Sequence, residues 1–183
     1  PESINREHAI LGADRCVAVN PSDTAPALIA LDARMVIRTA AGAERVVAAE
    51  DYFIGPAIDI TRMTILEQGD LLLAIRLPAT WAASATGSGG PGAQFYFEKV
   101  RDRQVWDFAL LSVSSAMVVG GGGNIERIRV AVNGAAARPL RLRAVEEAVQ
   151  GRPRNEATAV VAGNLAIEGA LPLKFNAYKV PLM

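Results

Sequence analysis

Among 183 residues there is one cysteine, Cys16, and one histidine, His8. A single thiol excludes an internal disulfide framework. The eight-residue gap from His8 to Cys16 matches no compact zinc pattern. By themselves Cys16 reads as buried filler and His8 as a packed or surface histidine. A surplus of positive charge is also missing: Lys+Arg and Asp+Glu both number 19. Phosphate backbones are held by a basic surplus, so nucleic acid is not the expected main partner. No apolar run approaches the ~20 residues that span a bilayer. No basic start leads into an apolar stretch, as a signal peptide would, and the cytoplasm is the default compartment. The opening Pro1-Glu2 reads as the start of a piece of a longer protein.

What is present is a chain able to build a core. It is 51% hydrophobic and 21% charged, which suits one large or two small domains. Cys16–Val19 could be a short strand. Pro21-Ser22-Asp23 then precedes a short helix over 24–33. Ser22 or Asp23 can cap it, because either side-chain oxygen accepts from a free N–H of the first turn. Arg34–Thr39 alternates as a strand, Ala41-Gly42-Ala43 turns it, and Arg45–Ala48 returns as a hairpin partner. Asp51–Phe53 and Thr64–Leu66 are ambiguous. "DLLLAIRLP", Asp70–Pro78, reads as a buried strand ended by its proline.

A Gly/Ser/Ala/Pro-rich stretch, 82–94, cannot pack a core and reads as a linker. Residues 1–81 and 95–183 are then separate units. After the linker, "FYFEKVR" alternates, with Phe95, Phe97 and Lys99 on one face. Ala109–Val119 and Ile125–Gly134 are two strands. Gly120–Asn124 turns between them, since glycine accepts positive φ at any turn position. Two helices are expected next: Pro139–Gln150, stopped at Gly151, and a second capped by Asn155 and running to about Glu168. The order is mixed strands, linker, three-stranded antiparallel sheet, helices, which is an α+β pattern.

Three features could carry chemistry. "GGGGN" lacks the lysine, the Ser/Thr and the strand–turn–helix context of a phosphate loop, so a hairpin turn is the reading. Asp23 has a plain role as a helix cap. The same place would also suit a hydroxyl-bearing ligand such as a ribityl chain. Phe97–Leu110, "FEKVRDRQVWDFAL", is the densest candidate. Lys99, Arg101 and Arg103 alternate and so share one face, with Asp102 opposite and Asp107 just before the next strand. They form either a solvated strand edge that discourages aggregation or a cationic strip beside an electron-rich cofactor. No nucleophile–base pair or metal cluster is complete.

In combination these segments are more specific. "NREHAILGADRCVAVNPSDTAPALIALDA", "DLLLAIRLP", "FEKVRDRQVWDFALLSV" and "NAYKV", in that order over Asn5–Val180, resemble the flavin-binding subunit of the molybdenum hydroxylases. That family includes the xanthine dehydrogenase, aldehyde oxidoreductase and carbon monoxide dehydrogenase types. The resemblance covers the latter part of the subunit: the end of the second FAD-binding, PCMH-type subdomain, then the C-terminal α+β subdomain. The family's glycine-rich diphosphate-binding segments have no counterpart here.

The resemblance implies FAD as cofactor, with Asp23 of "PSD" as a contacting acid, Leu72 as an apolar contact near the ring, and Lys99 at the flavin. Arg103 and Asp107 match charged positions nearby. A lysine near the ring would raise its reduction potential. Some members carry an extra [4Fe–4S] cluster in an insertion that ends just before "PSD". Cys16 would be its last ligand in the longer protein, since such a cluster takes about four thiolates. The implied activity is that of an oxidoreductase subunit, the isolated piece being inactive. Electrons would pass from a molybdopterin-containing large subunit through a [2Fe–2S] small subunit to FAD and on to an acceptor. The periplasm is the alternative compartment. The rival function is a non-enzymatic module that lacks a complete FAD site and docks onto partner subunits.

Overall fold

The computed structural model describes residues 4–13, 16–81 and 93–183. Nearly all of the 82–94 linker lies outside these residues; Gln94 already belongs to a strand.

The first half is built on a three-stranded antiparallel sheet. Its strands are β1 (Arg34–Arg38), β2 (Glu44–Ala48) and β3 (Leu71–Arg76), in the order β2-β1-β3. The β1–β2 hairpin forms where the alternation placed it, with Val36 opposite Val46. Before it comes helix α1 (Thr24–Ala30), three residues shorter than the apolar pattern suggested. Leu31 ends the helix and Asp32 turns the chain at φ +55, a left-handed conformation that a short polar side chain tolerates. Ambiguous Asp51–Phe53 divides between a one-turn helix α2 (Ala49–Tyr52) and an isolated bridge, Phe53 to Thr64.

Two local expectations fail here. Residues 16–19 form no strand; Val17 only accepts a hydrogen bond from the Ala9 N–H, at 2.8 Å. "DLLLAIR" is a strand but not a buried one. It pairs with β1 alone, so it is an edge, and all six of its residues are exposed. An unbroken apolar run marks a strand covered on both faces, and no described element covers these.

The second half is a four-stranded antiparallel sheet, one strand more than expected. Its order is β4 (Gln94–Val100), β5 (Leu111–Val119), β6 (Ile125–Asn133) and β7 (Leu140–Arg141). The glycine run does turn β5 into β6, with Gly123 at φ +80. The expected helix from Pro139 is cut down to α3 (Arg143–Val149). Its first residues instead pair with β6, Leu140 opposite Val132, and the Leu142 N–H donates to Val130 O at 2.9 Å. Helix α4 (Glu156–Ala166) is capped as read, Asn155 Oδ1 accepting from the Thr158 N–H at 3.0 Å. A short helix α5 (Lys179–Leu182) ends the chain.

Helix α1 joins the halves. Its buried Ala25, Ile29 and Ala30 pack with Met35, Ile37, Tyr52 and Phe53 of the first half, and the cluster includes Ala131 of β6. Arg129 of β6 donates to Ile29 O at 2.9 Å. Helix α1 therefore sits over the larger sheet. No described helix is long and apolar enough to cross a membrane.

Candidate functional site

Asp23 precedes α1, yet its carboxylate makes no capping bond. Ser22 does that work: its Oγ accepts from the Ala25 N–H at 3.2 Å, and Asn20 Oδ1 accepts from the Ser22 N–H at 2.9 Å. Asn133, at the end of β6, donates through Nδ2 to Ser22 O at 2.8 Å. The turn is thus fastened to the sheet, and the Asp23 carboxylate is free to face outward.

Lys99 meets it there. Its Nζ lies 2.6 Å from Asp23 Oδ2, across 76 residues of chain, and donates also to Asp107 O at 2.7 Å. Asp107 organises the loop after β4. Its carboxylate accepts from the Arg103 N–H at 2.8 Å and the Asp102 N–H at 2.9 Å, and these bonds hold its pKa below the usual carboxylate range. Arg103 donates to Trp106 O. Asp102 takes both guanidinium nitrogens of Arg6, at 2.5 and 2.7 Å, which lowers its pKa as well.

The expected cationic strip does not exist as a strand face. β4 ends at Val100, so Arg101 and Arg103 lie beyond it, and the Lys99 charge is matched by Asp23.

Sheet register extends the site in a way the sequence reading missed. On one face, Lys99 stands opposite Ser112 and Ser112 opposite Asn133; the next row is Phe97, Ser114 and Ala131. Ser112, Ser114 and Asn133 are 4%, 2% and 2% exposed. Ser112 Oγ, Ser114 Oγ and Asn133 Oδ1 have no hydrogen-bond partner among the described residues. Buried polar atoms are nearly always paired, so three on one face set this part of the sheet apart from an ordinary apolar core. The available signal was serine at alternate positions of "LLSVSSAMVV", where a buried strand face should be apolar.

Helix α1 covers β5 and β6 but leaves the edge strand β4 open. A groove of about 250 Å³ runs beside it, lined by Ala27, Ala30, Leu31, Phe95, Phe97 and Ser114. Past Lys99 a polar hollow of about 330 Å³ is lined by Arg101, Asp102, Arg103 and Gln104.

The other expected residues are elsewhere. Leu72 is on β3 opposite Ile37 and lines neither hollow. Cys16 is half-buried, with Sγ 3.5 Å from the Ala18 N–H. Among the described residues no three His, Cys, Asp or Glu side chains gather as a metal site. A larger cavity, about 930 Å³, is lined mainly by apolar residues such as Phe53, Ile54 and Ile58, with none of the residues read as functional.

Two family models match the chain: an FAD binding domain in molybdopterin dehydrogenase over residues 4–80, and a CO dehydrogenase flavoprotein C-terminal domain over 95–178. The chain is 33% identical over 146 residues to the aldehyde oxidoreductase FAD-binding subunit PaoB of Escherichia coli, covering 79% of this chain and 41% of that protein. It is 30% identical over 150 residues to the carbon monoxide dehydrogenase medium chain of Hydrogenophaga pseudoflava, covering 81% and 46%. A solved carbon monoxide dehydrogenase from H. pseudoflava superposes with a TM-score of 0.71 at 26% identity, over 88% of this chain and 52% of that one. Quinoline 2-oxidoreductase from Pseudomonas putida 86 gives 0.64 at 25% identity, over 83% and 47%. The chain spans about half the length of the relatives it matches. With both domains present in order, it belongs to the FAD-binding medium-subunit family of the molybdenum hydroxylases.

Proposed function

We propose that this chain contributes the Asp23–Lys99 side of a flavin site in a molybdenum-containing hydroxylase. The single observation that carries this is the 2.6 Å ion pair between Asp23 and Lys99. It joins the "PSD" turn of one half to the "FEK" strand of the other, the two segments that the resemblance assigns to FAD. The partnerless atoms of Ser112, Ser114 and Asn133 fit a ligand with hydrogen-bonding edges. The division we adopt is 1–81 as the end of the FAD-binding subdomain, 82–94 as connector and 95–183 as the C-terminal α+β domain. On this reading the partners are a molybdopterin-containing large subunit and a [2Fe–2S] small subunit.

FAD, when bound, supplies the two-electron carrier between those clusters and an acceptor. The residues of this chain supply the setting. Lys99 places one positive charge at the site and so favours the reduced, more electron-rich ring. Asp23, in contact with it, tempers that charge and keeps the ammonium in one place. Asn133 and Ser22 orient Asp23, and the Asp107 carbonyl orients Lys99. Leu72 is the third proposed contact, as an exposed apolar side chain of β3. No side chain here is needed as acid or base toward an organic substrate.

A [4Fe–4S] cluster at Cys16 does not fit this chain. Four thiolates are required and the sequence holds one, so no electron step is routed through Cys16.

The docking alternative draws on β3, whose apolar residues lie open along a sheet edge. One experiment separates the two readings. The purified chain is titrated with FAD, and its visible absorbance and the quenching of flavin fluorescence are followed. Saturable quenching that Lys99→Met weakens supports the flavin site. A chain that leaves FAD fluorescence unchanged, yet associates with the other subunits, supports docking.

A further inference from the structure

Residues 5–9 form no helix or strand of their own, yet their backbone is held from one side. The Tyr178 hydroxyl donates to Arg6 O at 2.9 Å, and Lys179 Nζ donates to Glu7 O at 2.7 Å. Asn176 Nδ2 donates to His8 O at 3.0 Å and to Ala9 O at 3.2 Å. Four carbonyls in a row thus take their bonds from three side chains of the C-terminal tail, "NAYK". Asn176 and Lys179 are fully buried, and a buried polar network with its bonds made is rigid. Lys179 also donates to Gly134 O at 2.8 Å, just past the end of β6, so the tail is anchored to the larger sheet.

One side chain reaches away from this anchorage. Arg6 crosses 96 residues of sequence to take both carboxylate oxygens of Asp102, and its guanidinium lies 5.6 Å from the centre of the Tyr178 ring. Two-point pairing of this kind fixes orientation as well as distance. The loop that holds Asp102 closes on Asp107. The Asp102 and Arg103 N–H groups donate to the Asp107 carboxylate, and the Asp107 carbonyl accepts from Lys99. β4 has ended at Val100, so no strand pairing holds residues 101–107. The Arg6 and Asp102 side chains are 43% and 45% exposed, and a pair so open to water adds little to overall stability. What it fixes is the place of the loop.

We propose that Arg6 is a positioning residue for Lys99: the tail holds Arg6, and Arg6 holds the 101–107 loop whose Asp107 carbonyl steadies the ammonium. This rests on the flavin reading above and deepens it, because it makes the reduction potential of the flavin depend on a contact outside the site. With the tie cut, Lys99 keeps Asp23 but loses its fixed second partner. The positive charge that favours the reduced ring is then less firmly placed, and the potential falls.

The test compares Arg6→Met, Asp102→Asn and the double variant that carries both. The double variant removes one charge of each sign, so its net charge is the parent's while the tie is gone. In the flavin-loaded protein its potential is expected to lie below the parent's. On the chain without flavin, the hydrogen-exchange protection of the amides at 102 and 103, read by NMR, is expected to fall about two- to fivefold in all three variants. Their melting temperatures stay near the parent's. Tyr178→Phe removes only the hydroxyl bond to Arg6 O and lowers the same protection.

A double variant with the parent's potential overturns the proposal and leaves the flavin reading standing, since Arg6 and Asp102 would then act as charges alone. Unchanged protection at 102 and 103, in the tie variants or in Tyr178→Phe, overturns it as well. Should the parent take up no flavin, the flavin reading falls, and the positioning role with it.

Discussion

Breaking the Asp23–Lys99 pair one side at a time tests the convergence on which the site depends. The two partners are unequally covered: the Lys99 side chain is 15% exposed and that of Asp23 46%. Exposed pairs contribute about 0.2–1 kcal/mol and charge-assisted hydrogen bonds about 1.5–3 kcal/mol. With one partner nearly half in water, a coupling of about 1 kcal/mol is expected. Asp23→Asn strands a mostly covered ammonium with only the Asp107 carbonyl, costing about 1.5 kcal/mol. Lys99→Met leaves a carboxylate that water readily solvates, but removes the donor to Asp107 O, costing about 1 kcal/mol. The double variant should cost about the same as Asp23→Asn alone. Urea unfolding of all four proteins gives the cycle. Each kcal/mol corresponds to about 2–4 °C in melting temperature at this size. In the assembled flavoprotein the potential should move in opposite directions: down for Lys99→Met, which removes positive charge, and up for Asp23→Asn, which removes negative charge. A coupling below about 0.3 kcal/mol, within ordinary additivity, would refute the pairing. Potentials moving the same way, or not at all, would refute its placement beside the flavin.

Further expectations concern the frame around the site. Glu146 is 5% exposed and accepts from the Val130 N–H and three times from Arg141, so Glu146→Ala should cost about 3 kcal/mol in unfolding experiments by leaving that guanidinium only its 3.4 Å contact with Glu50. Asn155→Ala removes the α4 cap and should cost about 1 kcal/mol, read as a drop of about 2–4 °C in a melt. Gly134 has φ +77, and a Cβ there would lie 2.7 Å from Leu110 O; Gly134→Ala should lower the melting temperature more than the Asn155 change does. Lys179 is fully buried, and burial pushes its pKa down to about 8. Between pH 8 and about 10.4 the unfolded chain binds the proton and the folded chain has released it. Stability should therefore rise with pH across that window, by at most about 1.4 kcal/mol per unit. Its bonds to Glu7 O and Gly134 O favour the ammonium and flatten the slope. Lys179→Met should abolish this rise in pH-dependent unfolding.

Much of the fold was legible because local chemistry and tertiary context agreed. The hairpin 34–48, the glycine turn 120–124 and the Asn155 cap each rest on short-range rules, and the larger structure leaves them alone. Failures came where context overruled pattern. "DLLLAIR" looks buried by composition, but burial belongs to neighbours, and β3 is an edge. Pro139–Leu142 is followed by a helix but pairs with β6, which takes up its backbone hydrogen bonds. Spacing alone put Lys99, Arg101 and Arg103 on one face, but it could not say that β4 ends at Val100.

The site shows the same division more sharply. Asp23 and Lys99 were singled out one by one, but their contact was not readable, since 76 residues separate them and only the docking of α1 on the larger sheet brings them together. That docking depends on a detail the sequence left open, namely whether Ser22 or Asp23 caps the helix. Because Ser22 takes the Ala25 N–H, the Asp23 carboxylate is released from backbone duty and can meet the ammonium. Had Asp23 been the cap, Lys99 would have faced the Asp107 carbonyl alone, an unmatched cation beside an apolar groove. The choice of a hydroxyl over a carboxylate for one helix start therefore sets the charge of the whole site. It follows that Ser22→Ala should act on Asp23 as much as on α1, drawing the carboxylate toward the freed N–H and loosening its hold on Lys99. The Asp23–Lys99 coupling energy, remeasured in that background, should shrink toward zero. A coupling that survives intact would show that Asn133 alone holds the turn.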